Sequence, residues 1–272
     1  MIKLIAIDLD GTLFNASHQL TEANRRAVWR ALETGLQPVI VTGRGRRGAE
    51  MALDMLGLDL PYVCSAGALV CAGKAVDAPR IISARTFDAI DELRHLIAYA
   101  REAGLGLIAD TPTGNFWFGD DSLGESLDPL TAATAYDSRR VLEPERDFAR
   151  PLLKVTIVAD PDPMREAVRI LDQHCPSLQH TFAGMRYTDV TARGVDKCSA
   201  LQILVAHLGI SPAEVAAIGD QPIDIPMLRC AGISAAMGNA HAAVKDAARW
   251  IAPSNDEDGV AWFIERILSS GR

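Results

Sequence analysis

The 272-residue chain contains no Cys-x-x-Cys pair and no His-Glu-x-x-His string. Its five cysteines, Cys64, Cys71, Cys175, Cys198 and Cys230, are odd in number and scattered. That pattern excludes the spacing of a structural zinc site, argues against a disulfide frame, and suits reduced thiols. Positive charge is also scarce, with 27 Lys and Arg against 35 Asp and Glu, a net charge of −8. A broad nucleic-acid surface is therefore not expected, although a small positive pocket remains open. No window approaches the ~20 apolar residues a membrane helix needs, so no membrane partner is expected. The first residues run from a short apolar stretch straight into acids, unlike a secretory leader, and a cytoplasmic location is expected. No internal repeat or low-complexity segment stands out.

What is present is an ordinary globular composition, 49% hydrophobic and 23% charged, on a chain long enough for one large domain or two smaller ones. The early chain alternates strand and helix. Residues 2–7 read as a strand. Thr21 is a candidate N-cap for a helix to about Glu33, with Ala27, Val28, Ala31 and Leu32 on one face and Gly35 past its end. Residues 37–41 read as a second strand, a helix follows to about Met55 with Gly57 after it, and residues 62–64 read as a third strand. This alternation predicts βαβ units and a parallel sheet with helices on both faces.

The rhythm changes between about Ser83 and Arg186. Helices are predicted over 87–102 and 163–173, and extended segments over 105–110, 116–119, 152–158, 179–182 and 185–190. Phe116-Trp117-Phe118 reads most simply as a strand packing on its neighbours, with substrate stacking as the weaker alternative. Asp120, Asp121, Glu125 and Asp128 read as a solvated acidic loop in preference to a second metal site. After Gly194 the first rhythm returns, with helices over 197–208, 225–230, 242–248 and 259–268 and strands over 215–218, 232–236 and 250–251. The expected organisation is α/β: a Rossmann-like parallel-sheet core of residues 1–82 and 187–272, with an inserted α+β domain over 83–186.

The first strand ends in Asp8-Leu9-Asp10-Gly11-Thr12-Leu13. Two like charges at the end of a buried strand repel and lose hydration, a conflict that a bound cation resolves. Such a strand end is where open parallel sheets bind ligands. Asp-Gly also marks a tight turn, and alone it means only that. Three further loops are placed to join it: Thr42-Gly43-Arg44, Arg193-Gly194-Val195-Asp196-Lys197, and Gly219-Asp220-Gln221-Pro222-Ile223-Asp224. Each has a plain structural alternative. Thr42 could be an N-cap, Lys197 a solvent-facing helix residue, Asp220 a cap, and Asp224 a first-turn acid.

Taken in order, these motifs resemble the Cof-type branch of the haloacid dehalogenase-like phosphatases. The resemblance spans nearly the whole chain and includes Met237-Gly238-Asn239-Ala240, the 254–260 tail, and an insertion like that branch's α+β cap. It implies that Asp8 is a nucleophile forming an aspartyl-phosphate and that Asp10 is the general acid and base. It further implies that Thr42 and the Gly43 amide hold phosphoryl oxygens, and that Lys197 neutralises Asp8 and the phosphate. Asp8, the Asp10 carbonyl and Asp220 would ligate Mg²⁺, with Asp224 holding a metal-bound water or Lys197. Asn239 would support the phosphate loop. Arg44 is a candidate substrate contact, while Arg46 and Arg47 read as solvated helix residues. Two positions depart from the pattern: Ile223 and Ala66 stand where Asn is usual. Pro222 biases Gln221 away from helix.

The function the resemblance implies is a Mg²⁺-dependent phosphatase of small phosphorylated metabolites, sugar phosphates first and nucleotide or cofactor phosphates next. Phosphoryl transfer to an acceptor alcohol, or a weakly active phosphosugar-binding protein, are the alternatives. A monomer or small homo-oligomer is expected.

Overall fold

Leu4–Ile7 (β1) is a run of four wholly buried apolar residues, as a strand covered on both faces must be. The structure, a computed structural model, describes residues 1–74, 80–112, 114–119, 139–184 and 186–270. The acidic run Asp120, Asp121, Glu125 and Asp128 lies outside the described residues, as does Met185.

β1 sits at the centre of an eight-stranded sheet. On one side it pairs in parallel with β2 (Gln37–Val41), then come β3 (Tyr62–Cys64), β4 (Leu69–Cys71) and β5 (Ile81–Ala84). On the other side lie β12 (Val215–Gly219), β13 (Ile233–Ala236) and β14 (Trp250–Ile251), all parallel. Among the described strands of this sheet only β4 is reversed, pairing antiparallel with β3 on one side and β5 on the other. The β4–β5 hairpin is not among the predicted elements, because strands of three and four residues are too short to carry a readable period.

Helix α1 (Glu22–Glu33) starts where the sequence predicts: the Thr21 hydroxyl accepts from the Asn24 amide at 3.2 Å. It packs against the closing helix α9 (Gly259–Ser270). Helix α2 (Arg46–Leu56) links β2 to β3 and stops at Gly57, whose φ of +68° supplies the left-handed cap.

A second sheet has six strands in the order β10-β11-β9-β6-β7-β8. These are β6 (Gly106–Thr111), β7 (Gly114–Phe118), β8 (Arg139–Arg140), β9 (Lys154–Val158), β10 (Leu178–Gly184) and β11 (Tyr187–Ala192). Helix α3 (Ile90–Ala103), the short α4 (Pro144–Asp147) and α5 (Pro161–His174) belong with it, and α3 packs on α5. Helix α3 starts three residues later than predicted, because Phe87 forms a bridge with Leu152 instead of entering the helix. The architecture is thus a Rossmann-like sheet plus a separate, mostly antiparallel sheet, each with its own buried apolar cluster.

The sequence reading returns the chain to the first sheet at residue 187. The structure moves that point past Ala192, since Tyr187–Val190 pairs with β9 and the whole of β11 pairs with β10. The chain then enters α6 (Lys197–Leu208), followed by β12, α7 (Ile225–Cys230), β13, α8 (Ala242–Ala247) and β14.

Candidate active site

β1 delivers Asp8 to the end of the parallel sheet, where the chain turns immediately over Leu9–Leu13. The turn closes through bonds from the Leu13 amide to Asp8 O and from the Phe14 amide to Leu9 O. Gly11 makes it possible. Its φ is +74°, and a Cβ there would lie 2.3 Å from Asp220 Oδ2.

Lys197 arrives differently from the expectation. Its loop follows β11 of the second sheet, and Lys197 is the first residue of α6. Asp196 caps that helix: its carboxylate accepts from the Ser199 amide at 2.7 Å while the Asp196 amide donates to Ser199 Oγ at 3.0 Å. The geometry plants a fully buried ammonium 2.7 Å from Asp8 Oδ1 and 2.5 Å from Asp224 Oδ1. The solvent-facing alternative for Lys197 is excluded.

β12 brings the two remaining acids. Asp220 Oδ1 accepts from Thr12 Oγ1 at 3.0 Å and Oδ2 from Gln221 Nε2 at 2.8 Å. Asp224 Oδ2 accepts from the amides of Asp220 (3.0 Å) and Gln221 (2.9 Å). Gln221 is extended, as the following proline requires, and residues 222–224 form one tight helical turn. Asp224 therefore fills its acceptor positions from Lys197 and backbone alone, with no side chain needed at position 223. Ile223 instead turns toward the cavity described below.

Asp8, Asp220 and Asp224 each offer an oxygen within 4.8 Å of the others, and all three are buried. Three ionised carboxylates against one lysine would leave the cluster two charges negative. The titration behaviour reflects this. The Asp8 carboxyl is pushed well above its usual range by burial first and Asp224 next, against the pull of Lys197. Asp220 is pushed up to about 7 by burial and Asp224. Burial alone would depress Lys197, but Asp224 and Asp8 together outweigh it and raise its pKa. A donor set made wholly of hard oxygens, short of positive charge, fits a hard divalent cation.

Asp10 takes no part in that cluster. Its carboxylate accepts both arms of Arg44, with Nε at 2.6 Å and a second contact from the other guanidinium nitrogen. His18 Nδ1 is 3.7 Å away. The Arg44 amide donates to Thr42 Oγ1 at 3.1 Å, so Thr42 shapes the β2 loop from a buried position. Asn239 lies outside the cavity: its amide donates to Gly11 O at 2.8 Å and its oxygen accepts from the Asn255 amide at 3.0 Å. It braces the turn that carries Asp8.

A cavity of about 250 Å³ opens over Asp8, Asp10, Gly43, Arg44 and Lys197. The second sheet walls its far side with Ile108, Asp110, Asn115, Lys154, Thr156, Tyr187 and Asp189. None of these polar residues is a sequence candidate. Lys154 was the available signal: one charge at the head of a wholly buried strand. Phe116 and Trp117 do not line the cavity. Residue 66 has a backbone reason. Ala66 holds φ +56°, the left-handed region that Asn and Gly tolerate best, and Gly67 (φ +104°) lets the Asp196 carbonyl approach closely.

Fold and cluster together define a capped Rossmann-like hydrolase. The haloacid dehalogenase-like hydrolase family matches residues 5–264, and the chain belongs to it. The 5-amino-6-(5-phospho-D-ribitylamino)uracil phosphatase YwtE of Bacillus subtilis is 29% identical, over 98% of this chain and 99% of its own length. The pyridoxal phosphate phosphatase YbhA of Escherichia coli is 28% identical over 96% and 97%. A haloacid dehalogenase-like hydrolase from Bacteroides thetaiotaomicron superposes with a TM-score of 0.81 at 27% identity, over 98% of this chain and 100% of that one. By class the chain is a phosphatase acting on small phosphorylated molecules.

Proposed function

We propose that the protein is a Mg²⁺-dependent phosphomonoesterase working through an aspartyl-phosphate on Asp8. The observation that carries this reading is the buried Asp8–Lys197 contact at the floor of a cavity, with Asp220 and Asp224 beside it. Asp8, the Asp10 carbonyl and Asp220 would hold the ion, and Asp224 would hold Lys197 in place. The ion supplies charge neutralisation between a carboxylate and a phosphate dianion.

The side chains do the rest. Asp8 Oδ forms a bond to phosphorus as the bond to the leaving oxygen breaks. Lys197 offsets the negative charge gathered on Asp8 and the transferring group. Thr42 and the Gly43 amide hold phosphoryl oxygens. Once the arriving phosphate engages Arg44, Asp10 takes up a proton from the phosphate monoanion or solvent and gives it to the leaving alcohol; it then takes one from the water that attacks phosphorus, breaking the Asp8–phosphorus bond and freeing inorganic phosphate. The Arg44 fork holds the Asp10 carboxylate in place until an arriving phosphate competes for the guanidinium. Residues of the second sheet form the cap, excluding water and contacting the leaving group. Sugar phosphates fit this site first, and nucleotide or cofactor phosphates next. Five free thiols suit a cytoplasmic enzyme, and among the described residues no helix is long and apolar enough to cross a membrane.

The test is phosphate release from an aryl phosphate. Activity should require Mg²⁺, vanish with a chelator and return on adding the ion. Asp8→Asn should be folded by circular dichroism and inactive. A fully active Asp8→Asn protein would reject the nucleophile.

A further inference from the structure

The cavity has two chemically different ends. Asp8, Lys197 and Gly43 form one. The other is built from four neighbouring strands: Asp110 from β6, Asn115 from β7, Lys154 and Thr156 from β9, and Asp189 from β11.

Lys154 would be the obvious place for a second anionic group of the substrate, yet its charge is already met within the wall. Its ammonium donates to the Gly43 carbonyl at 2.6 Å and forms ion pairs with Asp189 Oδ1 at 3.1 Å and Asp110 Oδ2 at 3.6 Å. Burial tends to depress Lys154, but Asp189 and Asp110 outweigh it, so the group stays charged.

The carboxylates are only half used. Asp110 Oδ2 also accepts from Ser65 Oγ at 3.0 Å, and Asp189 Oδ1 from Thr156 Oγ1 at 2.7 Å. Asp110 Oδ1 and Asp189 Oδ2 accept no hydrogen bond from the described residues, although the two side chains are 3% and 4% exposed. Both oxygens face the phosphate loop, since a Cβ on Gly45 would lie 3.2 Å from Asp110 Oδ1 and one on Gly43 would lie 3.4 Å from Asp189 Oδ2. With both carboxylates ionised the wall is one charge negative, and burial first, with Asp189 a lesser cause, pushes the Asp110 carboxyl above its usual range. Carboxylate oxygens that reach the cavity without a donor favour a ligand that brings one, and a second anion placed against them is costly.

We propose that this wall is the leaving-group subsite, that Asp110 and Asp189 are its specificity-determining residues, and that it selects alcohols bearing hydroxyl or amino donors while rejecting those with a second anionic group. The proposal rests on the phosphomonoesterase reading. Ile108, Ala183 and Ile223 complete the subsite with apolar surface that suits the carbon skeleton of such an alcohol. Lys154 joins the wall to the Gly43 carbonyl, so the groups that read the alcohol and the loop that holds the phosphate share one bonded network.

The experiment compares three esters of one skeleton with Mg²⁺ present: glucose 6-phosphate, glucosamine 6-phosphate and 6-phosphogluconate. An aryl phosphate serves as control. The carboxylated ester should show a kcat/KM about 100-fold or more below glucose 6-phosphate, the scale of a like-charge juxtaposition. The amino ester should match or exceed glucose 6-phosphate. A ratio below about tenfold between the neutral and carboxylated esters overturns the proposal. The same ligands titrated calorimetrically into the Asp8→Asn protein give the ratio without turnover. Loss of aryl phosphate hydrolysis thus counts against the phosphatase reading, while the binding ratio still decides the subsite. In Asp110→Asn and Asp189→Asn the discrimination should shrink at least about tenfold in one or both variants. Both esters are measured on one sample, so misfolded protein cancels from the ratio. Unchanged discrimination in both variants overturns the assignment.

Discussion

Asp220 ties the charge balance of the site to solution conditions. In the folded chain it holds a proton up to about pH 7, against an ordinary value of 3.8. Between those values the folded state binds more protons than the unfolded state. This group's contribution to stability therefore falls as pH rises from about 4 to about 7, and its full destabilising effect is felt above that. Under the proposed metal set, Mg²⁺ binding at Asp220 displaces that proton. The increase in Tm on adding Mg²⁺ should therefore be larger at pH 8 than at pH 5.5, read by thermal unfolding. Equal increments would remove Asp220 from the metal set. Ala66 gives a second prediction at this scale. A left-handed backbone costs an L-residue roughly 1–2 kcal/mol, and glycine's greater unfolded-state freedom takes back about 0.5–1. Ala66→Gly should raise stability by up to about 1 kcal/mol in chemical denaturation, and a clear loss would contradict the backbone account.

At the scale of elements, the site is assembled from chain turns more than from long helices. The Leu9–Leu13 turn brings a glycine against Asp220, and Asn239 locks the same turn from the β13 side. Gly11→Ala forces a Cβ into the Asp220 carboxylate and strains a positive φ. It should cut kcat/KM about 100-fold or more, since a shift near 1 Å at a reacting group has that effect. A steady-state assay with Mg²⁺ titration checks it, and wild-type activity would show the turn to be tolerant. Elements with local rules were readable beforehand. The Thr21 cap, the Gly57 stop, the apolar runs of β1, β2 and β12, and the pre-proline extension at Gln221 all follow from neighbouring residues. The β4–β5 hairpin and the membership of β11 do not: the hairpin's strands are too short to show a period, and β11 is assigned by its pairing with β9 and β10. Ile223 shows the same limit: its effect depends on whether Asp224 needs its side chain, and the backbone amides remove that need.

On the scale of the molecule, two apolar clusters underlie two sheets, and the cavity lies where polar groups from both meet. Ile157 is wholly buried on β9 within the second cluster. Ile157→Ala should destabilise by about 2–5 kcal/mol through lost burial and the cavity left behind. Hydrogen exchange should accelerate at amides of β6, β9 and β11 while β1, β2 and β12 keep their protection. Equal acceleration in both sheets would mean that the two clusters open as one unit.

The sequence by itself singled out the residues proposed for one half of the site. Asp8, Asp10, Thr42, Lys197, Asp220 and Asp224 sit in strand–loop and loop–helix junctions, whose geometry is written within a few residues on either side. Only the tertiary structure decided the other half. Asp110, Lys154 and Asp189 come from three strands far apart in the chain. A charge in a buried strand has no meaning until cross-strand pairing supplies its partners. The Arg44 fork on Asp10 is likewise a contact between loops. Pairing of that kind depends on which surfaces the whole fold brings together, and no local stretch of residues encodes it.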